Sequence, residues 1–466
     1  MNRVLVLGGS IRAKTGNREM VLEMASKVTD VVEYQEVIGN VLSTSSLCNS
    51  EIIAGAALAG ARMSGAEVEY FPLCHLFPQK DRRVFDLMAE GDDSSLSSLD
   101  TLDIDEDALE ELLAALDKSQ GIVLATPVYF GDRSSVANKF LQLATVRERV
   151  RNKIYGVVSV GAKRNGGQET CNIFSLYEML HQGTFGVGNG MPTSQYGGTA
   201  VGGDLGKVVE DEWGLATAFG TGERVAQVSR MVAKGLQNPV KAKTNIVFLL
   251  AMDTKNGKLK AHINSLVTEA SSKLNGVEFS VINLVEHDIY RCLGCKSCPK
   301  DGDVQCEHPQ CIIRNPDDYL ETARGKLVGA DGVIVCGINP SDIGDLVTRY
   351  QVFTERMRSV RRNNYELSNT LFAGLCYHDF GATINPIHSL KVMVSYIRHN
   401  TVVHKPIEIF EYNGEIMDSG AKGVAAFCEA ASILAAGKAQ VDIPKATYNA
   451  YGEGGGYAQG ESSQGK

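Results

Sequence analysis

Short apolar runs alternate with amphipathic segments along the first 160 residues. The runs are bounded by Gly, Pro or charged residues and lie at Val4–Leu7, Val68–Phe71, Ile122–Ala125 and Tyr155–Val160. The segments between them have helical periodicity and cover Glu51–Met63, Asp107–Leu116 and Ser135–Ala144. Buried strands that alternate with amphipathic helices predict an α/β fold, in which a parallel sheet carries helices on both faces.

The same pattern starts again in the second half. Strands are predicted at Ile246–Ala251, Val277–Asn283, Gly332–Cys336 and Leu371–Leu375, with a helix at Ile263–Leu274. Two anchors suggest a repeat, because Gly65–Leu73 parallels Gly276–Leu284 and Gly121–Leu124 parallels Gly332–Val335, both at an offset of 211 positions. Internal repeats define architecture, so we expect two tandem, doubly wound parallel sheets.

The domain boundaries follow from the repeat. A first domain is predicted over residues 1–236 and a second over residues 245–440, joined near Gln237–Thr244. The Gly/Ser/Gln-rich tail at residues 451–466 is predicted to be disordered. Arg18–Leu47 is extra length in the connection between the first strand and its helix.

Composition narrows the function classes. The net charge of −9 argues against a nucleic-acid-binding surface. No apolar stretch approaches the roughly 18 residues needed to span a membrane, so a cytoplasmic location is expected. Eleven cysteines are many for that compartment, where disulfides are disfavoured, and five of them fall in one short segment. Clustered cysteines there indicate metal or redox chemistry.

Three loops at predicted strand ends suit a flavin mononucleotide (FMN). Gly8–Arg12 and the helix start at Asn49 and Ser50 offer backbone N–H groups, hydroxyls and a charge to a phosphate. Two further loops follow the next strands, where an isoalloxazine ring would be held. The candidate FMN ligands are Ser10, Arg12, Asn49, Ser50, Thr126, Pro127, Val128, Tyr129, Phe130, Gly131, Gly166, Gly167, Gln168 and Glu169.

The order of these motifs resembles the NADPH-dependent FMN reductases of the flavodoxin-like proteins. The motifs are Gly-Ser-x-Arg, Asn-Ser at the helix start, Thr-Pro-Val-Tyr-Phe-Gly and Gly-Gly-Gln-Glu, and the resemblance covers about residues 1–235. It implies a flavodoxin-like fold and FMN held by the residues just listed. The insertion between Arg12 and Asn49 departs from the family pattern.

The second half carries the run Cys292-x-x-Cys295-x-x-Cys298, followed by Cys306 and Cys311. Thiolates suit iron–sulfur clusters and zinc, and the run resembles the compact cysteine motif of iron–sulfur flavoproteins. That resemblance implies an iron–sulfur cluster of the 4Fe-4S type, with Cys306 or Cys311 as the fourth ligand. Structural zinc and redox-active thiols stay open as alternatives.

The flavin motifs are eroded in the second half. Its first strand ends at Met252-Asp253 without a Gly-Ser turn, and an acidic residue at a helix start opposes phosphate binding. We therefore expect no FMN held there in the usual way. His378-Asp379 and His399-Asn400 could line a substrate site, although surface or core histidines are the commoner reading.

These features favour an FMN-dependent oxidoreductase or electron-transfer protein that couples a flavin to a cysteine-ligated cluster. Two alternatives are an NAD(P)H-dependent FMN or quinone reductase with a structural zinc domain, and a non-enzymatic redox accessory subunit. The expected partner is a redox protein or a small-molecule acceptor, without nucleic acid or membrane. The resemblance also implies a homodimer as a possible assembly.

Overall fold

The computed structural model describes residues 2–443, except 44, 46, 79–102, 192, 240–242, 254–255, 296–310, 314, 316, 339–347, 363–364 and 380–386. Every strand predicted from the sequence is present. The strands are β1 Arg3–Gly8, β2 Glu67–Pro72, β3 Gly121–Pro127, β4 Ile154–Gly161, β5 Phe185–Gly186, β6 Gly198–Val201, β7 Thr244–Leu250, β8 Val277–Asn283, β9 Gly332–Ile338, β10 Leu371–Asp379, β11 Val402–Val403, β12 Ile407–Tyr412 and β13 Glu415–Asp418.

The helices connect these strands and cover them. They are α1 Arg18–Ser26, α2 Val31–Leu42, α3 Asn49–Met63, α4 Leu73–Leu76, α5 Glu106–Lys118, α6 Ser135–Gln142, α7 Ala144–Arg149, α8 Gln168–His181, α9 Glu212–Gln237, α10 Lys258–Lys273, α11 Leu320–Val328, α12 Thr348–Arg356, α13 Arg358–Arg362, α14 Ile387–Ile397 and α15 Ala421–Lys438. Short 3₁₀ turns lie at Thr15–Asn17 and Lys207–Glu210. Among the helices in the described ranges, none combines the length and apolar character needed to cross a membrane.

The chain folds as two compact units. The first comprises Met1–Leu176 and Gly197–Ala226, and the second comprises Tyr177–Tyr196 and Gln227–Lys466. Residues 177–196 thus belong with the second unit, although the sequence places them in the first domain. The predicted domain boundaries stay a prediction, and the predicted tail lies outside the described residues.

The first unit has a parallel sheet in the order β2-β1-β3-β4-β6. The order 2-1-3-4-5 is that of flavodoxin-like folds, in which the ligand crevice lies at the carboxyl ends of the strands around the switch point. Helix α3 packs against β1, β3 and β4, and its residues Ser50–Ala61 are all buried. Gly222 of α9 lies against α3 so closely that a Cβ there would be 1.8 Å from the Ala57 carbonyl oxygen.

The second unit repeats this sheet. Its parallel strands run β8-β7-β9-β10-β12, with β13 antiparallel to β12. The register is the same as well, because Val4 of β1 pairs with Val68 and Gly121, and Ile246 of β7 pairs with Phe279 and Gly332. The partners of Val4 and of Ile246 correspond at the offset seen in the sequence, because Val68 and Phe279, like Gly121 and Gly332, are 211 positions apart. A tandem duplication would explain this register and stays a prediction.

The insertion at Arg18–Leu47 forms α1 and α2. Both helices pack against α3. The buried Tyr34 of α2 donates its hydroxyl to the Ile52 carbonyl oxygen at 2.7 Å, so the insertion forms part of the core of the first unit.

Candidate functional site

The loop after β1 forms a tight turn at the carboxyl edge of the first sheet. The Gly9 N–H donates to the Ala125 carbonyl oxygen at 2.7 Å, and the Arg12 N–H donates to the Ser10 hydroxyl at 3.1 Å. Ser10 is buried, whereas the Arg12 side chain is exposed. Within the described residues, no acceptor takes the backbone N–H groups of Ser10 and Ile11. These groups therefore remain available to an anion.

The amino end of α3 adds further donors. Its first two residues, Asn49 and Ser50, have backbone N–H groups without an acceptor in the described part of the chain. The helix dipole adds positive potential at the same end. The sequence also predicts that the Asn49 side chain binds FMN. In the structure this side chain is already engaged within the protein, because its Nδ2 donates to the Gly202 and Asp204 carbonyl oxygens at 2.9 and 2.8 Å. The backbone of Asn49, rather than its amide, is thus the part left to bind a phosphate.

Glu51, which the sequence analysis did not single out, is fully buried next to these donors. Its Oε2 accepts from the Cys48 N–H at 2.7 Å, and its Oε1 accepts from the Lys14 N–H at 3.2 Å and Asn17 Nδ2 at 3.0 Å. Burial and the Glu51 charge raise the pKa of the Cys48 thiol to about 12. A glutamate three residues after the N-cap is the sequence signal of such a capping box.

The loop after β3 presents two exposed aromatic rings. Tyr129 is 43% exposed and Phe130 is fully exposed, with a left-handed φ of 52°. The base of the loop is rigid, because the Thr126 hydroxyl accepts from the Ser134 N–H at 3.2 Å and the Val128 N–H donates to the Val160 carbonyl oxygen at 2.9 Å. A rigid loop with exposed rings is suited to pack on a planar ligand.

The loop after β4 lies directly against the β3 loop. Gly167 has a φ of 97°, and a Cβ there would lie 2.8 Å from the Gly131 Cα. The buried Gln168 holds the loop from within by donating to the Lys163 and Ala200 carbonyl oxygens at 2.7 and 3.2 Å. Glu169 and Gly166 are exposed. Gln168 is therefore a structural residue whose side chain faces the protein.

These loops fit FMN. The carboxyl edge of β1, β3 and β4 combines unpartnered backbone donors, a buried hydroxyl, an exposed guanidinium and an exposed aromatic platform. A phosphate needs the first three, and an isoalloxazine ring needs the last. The assignment of individual residues to FMN stays a prediction.

The corresponding edge of the second unit is different. Asp253 follows β7, and its carboxylate accepts from the Leu259 N–H at 2.9 Å and the Lys260 N–H at 3.2 Å at the start of α10. The helix end that would receive a phosphate is therefore occupied by a carboxylate of the chain itself. This supports the expectation that FMN is not held there in the usual way.

The cysteine segment follows β8 in the second unit. Cys292, Cys295 and Cys311 are described, whereas Cys298 and Cys306 lie outside the described residues. Gly294 has a φ of 62°, which lets the chain turn between the first two cysteines.

The two ends of this segment are held together. Arg356 is 2% exposed, donates to the Tyr290 carbonyl oxygen at 2.5 Å and forms an ion pair with the buried Asp318 at 2.8 Å. Asn315 Nδ2 also donates to the Tyr290 hydroxyl at 3.0 Å. Tyr290 precedes the first cysteine and Asp318 follows the last, so these contacts close the base of the segment.

The histidines named from the sequence have different surroundings. His399 is buried, and burial, together with the charges of Arg361 and Arg398, lowers its pKa to about 3. It is a core histidine. His378 is also buried, and its Nε2 contacts the carboxylate of Glu408 on the neighbouring strand.

Comparison with known proteins gives matches to the sequence of this chain and to its structure. The sequence profile of the NADPH-dependent FMN reductases matches residues 2–184. An iron–sulfur flavoprotein of Methanocaldococcus jannaschii is 38% identical over 136 residues, which cover 28% of this chain and 68% of that protein. An iron–sulfur flavoprotein of Methanosarcina thermophila is 28% identical over 191 residues, which cover 40% of this chain and 91% of that protein.

Among solved structures, a WrbA-like flavodoxin from Agrobacterium tumefaciens matches with a TM-score of 0.27 and 18% identity, over 49% of this chain and 97% of that one. The strand order, rather than this score, establishes the fold.

Proposed function

We propose, from the premise that this chain belongs to the NADPH-dependent FMN reductase family and is a flavin-dependent oxidoreductase, that it couples an FMN in the first unit to an iron–sulfur cluster in the second. The observation that carries the proposal is the set of binding groups at the carboxyl edge of the first sheet. There, unpartnered N–H groups of the β1 loop and of α3 accompany the exposed ring of Phe130.

The residues that would hold the phosphate are Ser10, Arg12 and the backbone of Asn49 and Ser50. The segments Pro127–Gly131 and Gly166–Glu169 would hold the ring. Bound FMN supplies hydride acceptance from a nicotinamide and release of electrons one at a time. The chain itself positions the ring, because the close contact of Gly131 with Gly167 fixes the two ring-binding loops against each other.

The cluster part of the proposal is supported by the thiolate spacing and by the closed base of the segment. Three thiolates at Cys292, Cys295 and Cys298 can surround one centre, and Cys306 or Cys311 supplies the fourth. Arg356 holds the residues that flank the segment, because it pairs with Asp318 and donates to the Tyr290 carbonyl oxygen. The names of the relatives, iron–sulfur flavoproteins, point the same way. A redox protein or a small molecule would accept the electrons.

The test is anaerobic purification followed by a visible spectrum and analysis of iron, sulfide and zinc. We expect FMN together with about four iron and four sulfide atoms per chain. Cys295→Ala should lose iron and sulfide and retain FMN. Cys74→Ala, a half-buried cysteine in the first unit, is the matched control and should retain both.

Stoichiometric zinc without iron or sulfide, when that zinc is lost in Cys295→Ala, would overturn the cluster proposal. It would instead favour a flavin or quinone reductase with a structural zinc domain, in which NADPH alone bleaches the flavin. Protein without FMN, which also fails to bind added FMN, would overturn the flavin part.

A further inference from the structure

Three side chains of different chemistry meet on two neighbouring strands of the second unit. Cys376 and His378 are two residues apart on β10 and therefore share a face of the sheet. Glu408 pairs with Cys376 in the register between β10 and β12. The Sγ of Cys376, a ring nitrogen of His378 and a carboxylate oxygen of Glu408 all lie within 4.8 Å of one another.

These three side chains are largely buried, and only Glu408 is partly exposed to solvent. Cys376 is 0% and His378 4% exposed, whereas the Glu408 side chain is 30% exposed. The His378 ring stacks on Phe410, with centroids 4.8 Å apart, and its Nε2 contacts a Glu408 oxygen. Stacking fixes the plane of the imidazole, so its nitrogens are directed before any ligand arrives.

The corresponding positions of the first unit do not carry a thiol, an imidazole and a carboxylate. The shared register makes Ser159, Gly161 and Thr199 the counterparts of Cys376, His378 and Glu408. Gly161 ends β4 and starts a loop assigned above to the flavin ring. The second unit therefore has a thiol, an imidazole and a carboxylate at the edge where the first has groups suited to a flavin.

We propose that Cys376, His378 and Glu408 form a binding site for a thiophilic divalent cation, Zn²⁺ in the first instance. Thiolate, imidazole and carboxylate are the ligands that Zn²⁺ takes in proteins, and three protein ligands with one open position are typical of zinc sites that bind water or a substrate. The exposed side of Glu408 is where that fourth ligand would enter.

Charge balance favours this occupant. One thiolate and one carboxylate neutralise a divalent cation, so the filled site has no net charge and the cost of burying separate charges is avoided. Binding releases the proton of the Cys376 thiol to solvent. A nucleophilic role for Cys376 is less suitable, because its sulfur has no exposed surface for a substrate to reach.

This site is separate from the cysteine segment and does not depend on the proposed cluster. The test uses full-length protein, stripped with a chelator and titrated with Zn²⁺ and, in parallel, with Co²⁺. The background is a five-cysteine variant in which Cys292, Cys295, Cys298, Cys306 and Cys311 are all replaced by Ala, because the thiols that Cys295→Ala leaves in the segment could still bind Zn²⁺. In this variant we expect one tight site, with a thiolate-to-cobalt charge-transfer band. Cys376→Ala and Glu408→Gln, each built on the five-cysteine variant, should bind Zn²⁺ about 100-fold more weakly and lose the band.

Cys336→Ala on the same background is the matched control. Cys336 is a fully buried cysteine of the neighbouring strand β9, and its loss should leave both the site and the band intact. If Cys376→Ala does not fold, Glu408→Gln still decides the matter, because Zn²⁺ should raise the melting temperature of the five-cysteine variant but not that of the same variant with Glu408→Gln.

Equal zinc affinity in the five-cysteine variant with and without Glu408→Gln, or no zinc bound by the five-cysteine variant, would overturn the proposal and leave a structural His378–Glu408 hydrogen bond. Failure of the iron–sulfur cluster proposal is a separate result, because it is measured as missing iron and sulfide in the protein that retains the cysteines of the segment.

Discussion

Glu51 shows how one buried carboxylate can organise the backbone at the predicted phosphate-binding edge. It is fully buried and accepts from Cys48, Lys14 and Asn17. Hydrogen bonds to a charged group are about twice as strong as neutral ones. Lys14 and Asn17 lie between the β1 loop and α1, so Glu51 fixes the approach of the inserted helices to α3. The sequence could indicate the cap, but not these two longer-range donors.

The exposed ring of Phe130 gives the first prediction. Phe130→Ala should weaken FMN binding about tenfold, because it removes the aromatic surface that the flavin would cover. The free energy of unfolding should not change, since the ring makes no buried contact in the protein alone. Flavin fluorescence titration and urea unfolding measure the two effects.

Phe174→Ala is the matched control for Phe130→Ala. Phe174 is 50% exposed on α8 in the same unit, and it follows the predicted ring-binding segment Gly166–Glu169 by five residues. Equal FMN affinity in both variants would contradict the assignment of the β3 loop to the flavin ring.

His399 gives a prediction about acid stability. Its folded pKa of about 3 lies below the unfolded value of 6.5, so as pH falls below 6.5 the unfolded chain takes up a proton that the folded chain refuses. Stability is therefore lost from pH 6.5 downwards to about pH 3. The loss is about 2 kcal/mol at pH 5 relative to pH 8.

His399→Gln should accordingly lose about 2 kcal/mol less free energy of unfolding between pH 8 and pH 5 than the unchanged protein. His262→Gln, at a half-buried histidine that contacts the Ser419 carbonyl oxygen, is the control. Parallel pH profiles for the unchanged protein and His399→Gln in urea unfolding would show that His399 is not held neutral.

At the scale of elements, apolar periodicity located four strands of each parallel sheet and missed the fifth, which is β6 in the first unit and β12 in the second. It missed helix α9, Glu212–Gln237, and did not resolve the insertion into α1 and α2. Small residues allow α9 to pack closely, as Gly222 does against Ala57. Backbone contact of this kind depends on tertiary packing, which a periodicity does not contain.

The buried ion pair at the base of the cysteine segment gives a prediction that separates stability from metal loading. Arg356→Met should cost about 3–5 kcal/mol, because it leaves Asp318 charged and buried without its partner. The double variant Asp318→Leu/Arg356→Met should recover much of this loss. Its iron content should stay low, because the Tyr290 carbonyl is no longer held.

Urea unfolding and iron analysis of anaerobically purified protein check these outcomes. Arg324→Met is the control, since Arg324 pairs with Glu366 at 2.9 Å and does not contact the ends of the segment. Full iron in the double variant would mean that the segment closes without Arg356.

At the scale of the whole molecule, two sheets of the same order and register have different chemistry at their carboxyl edges. The 211-residue offset made the repeated fold visible in the sequence. It could not reveal that Asp253 caps α10, or that Cys376 and Glu408 are neighbours, because these contacts join residues through helix starts and strand register. The cysteine run was visible because its ligands are close in sequence.

The difference between the two edges predicts about one FMN per chain, bound only by the first unit. Gly167→Val tests this, because a side chain at a φ of 97° and 2.8 Å from Gly131 would separate the two ring-binding loops. Purified Gly167→Val should contain no more than a trace of FMN by absorbance after denaturation. Gly257→Val is the matched control, since Gly257 precedes α10 with a φ of 69° and carries a similar backbone strain in the second unit. It should retain its FMN, and loss of FMN from Gly257→Val alone would assign the flavin to the second unit.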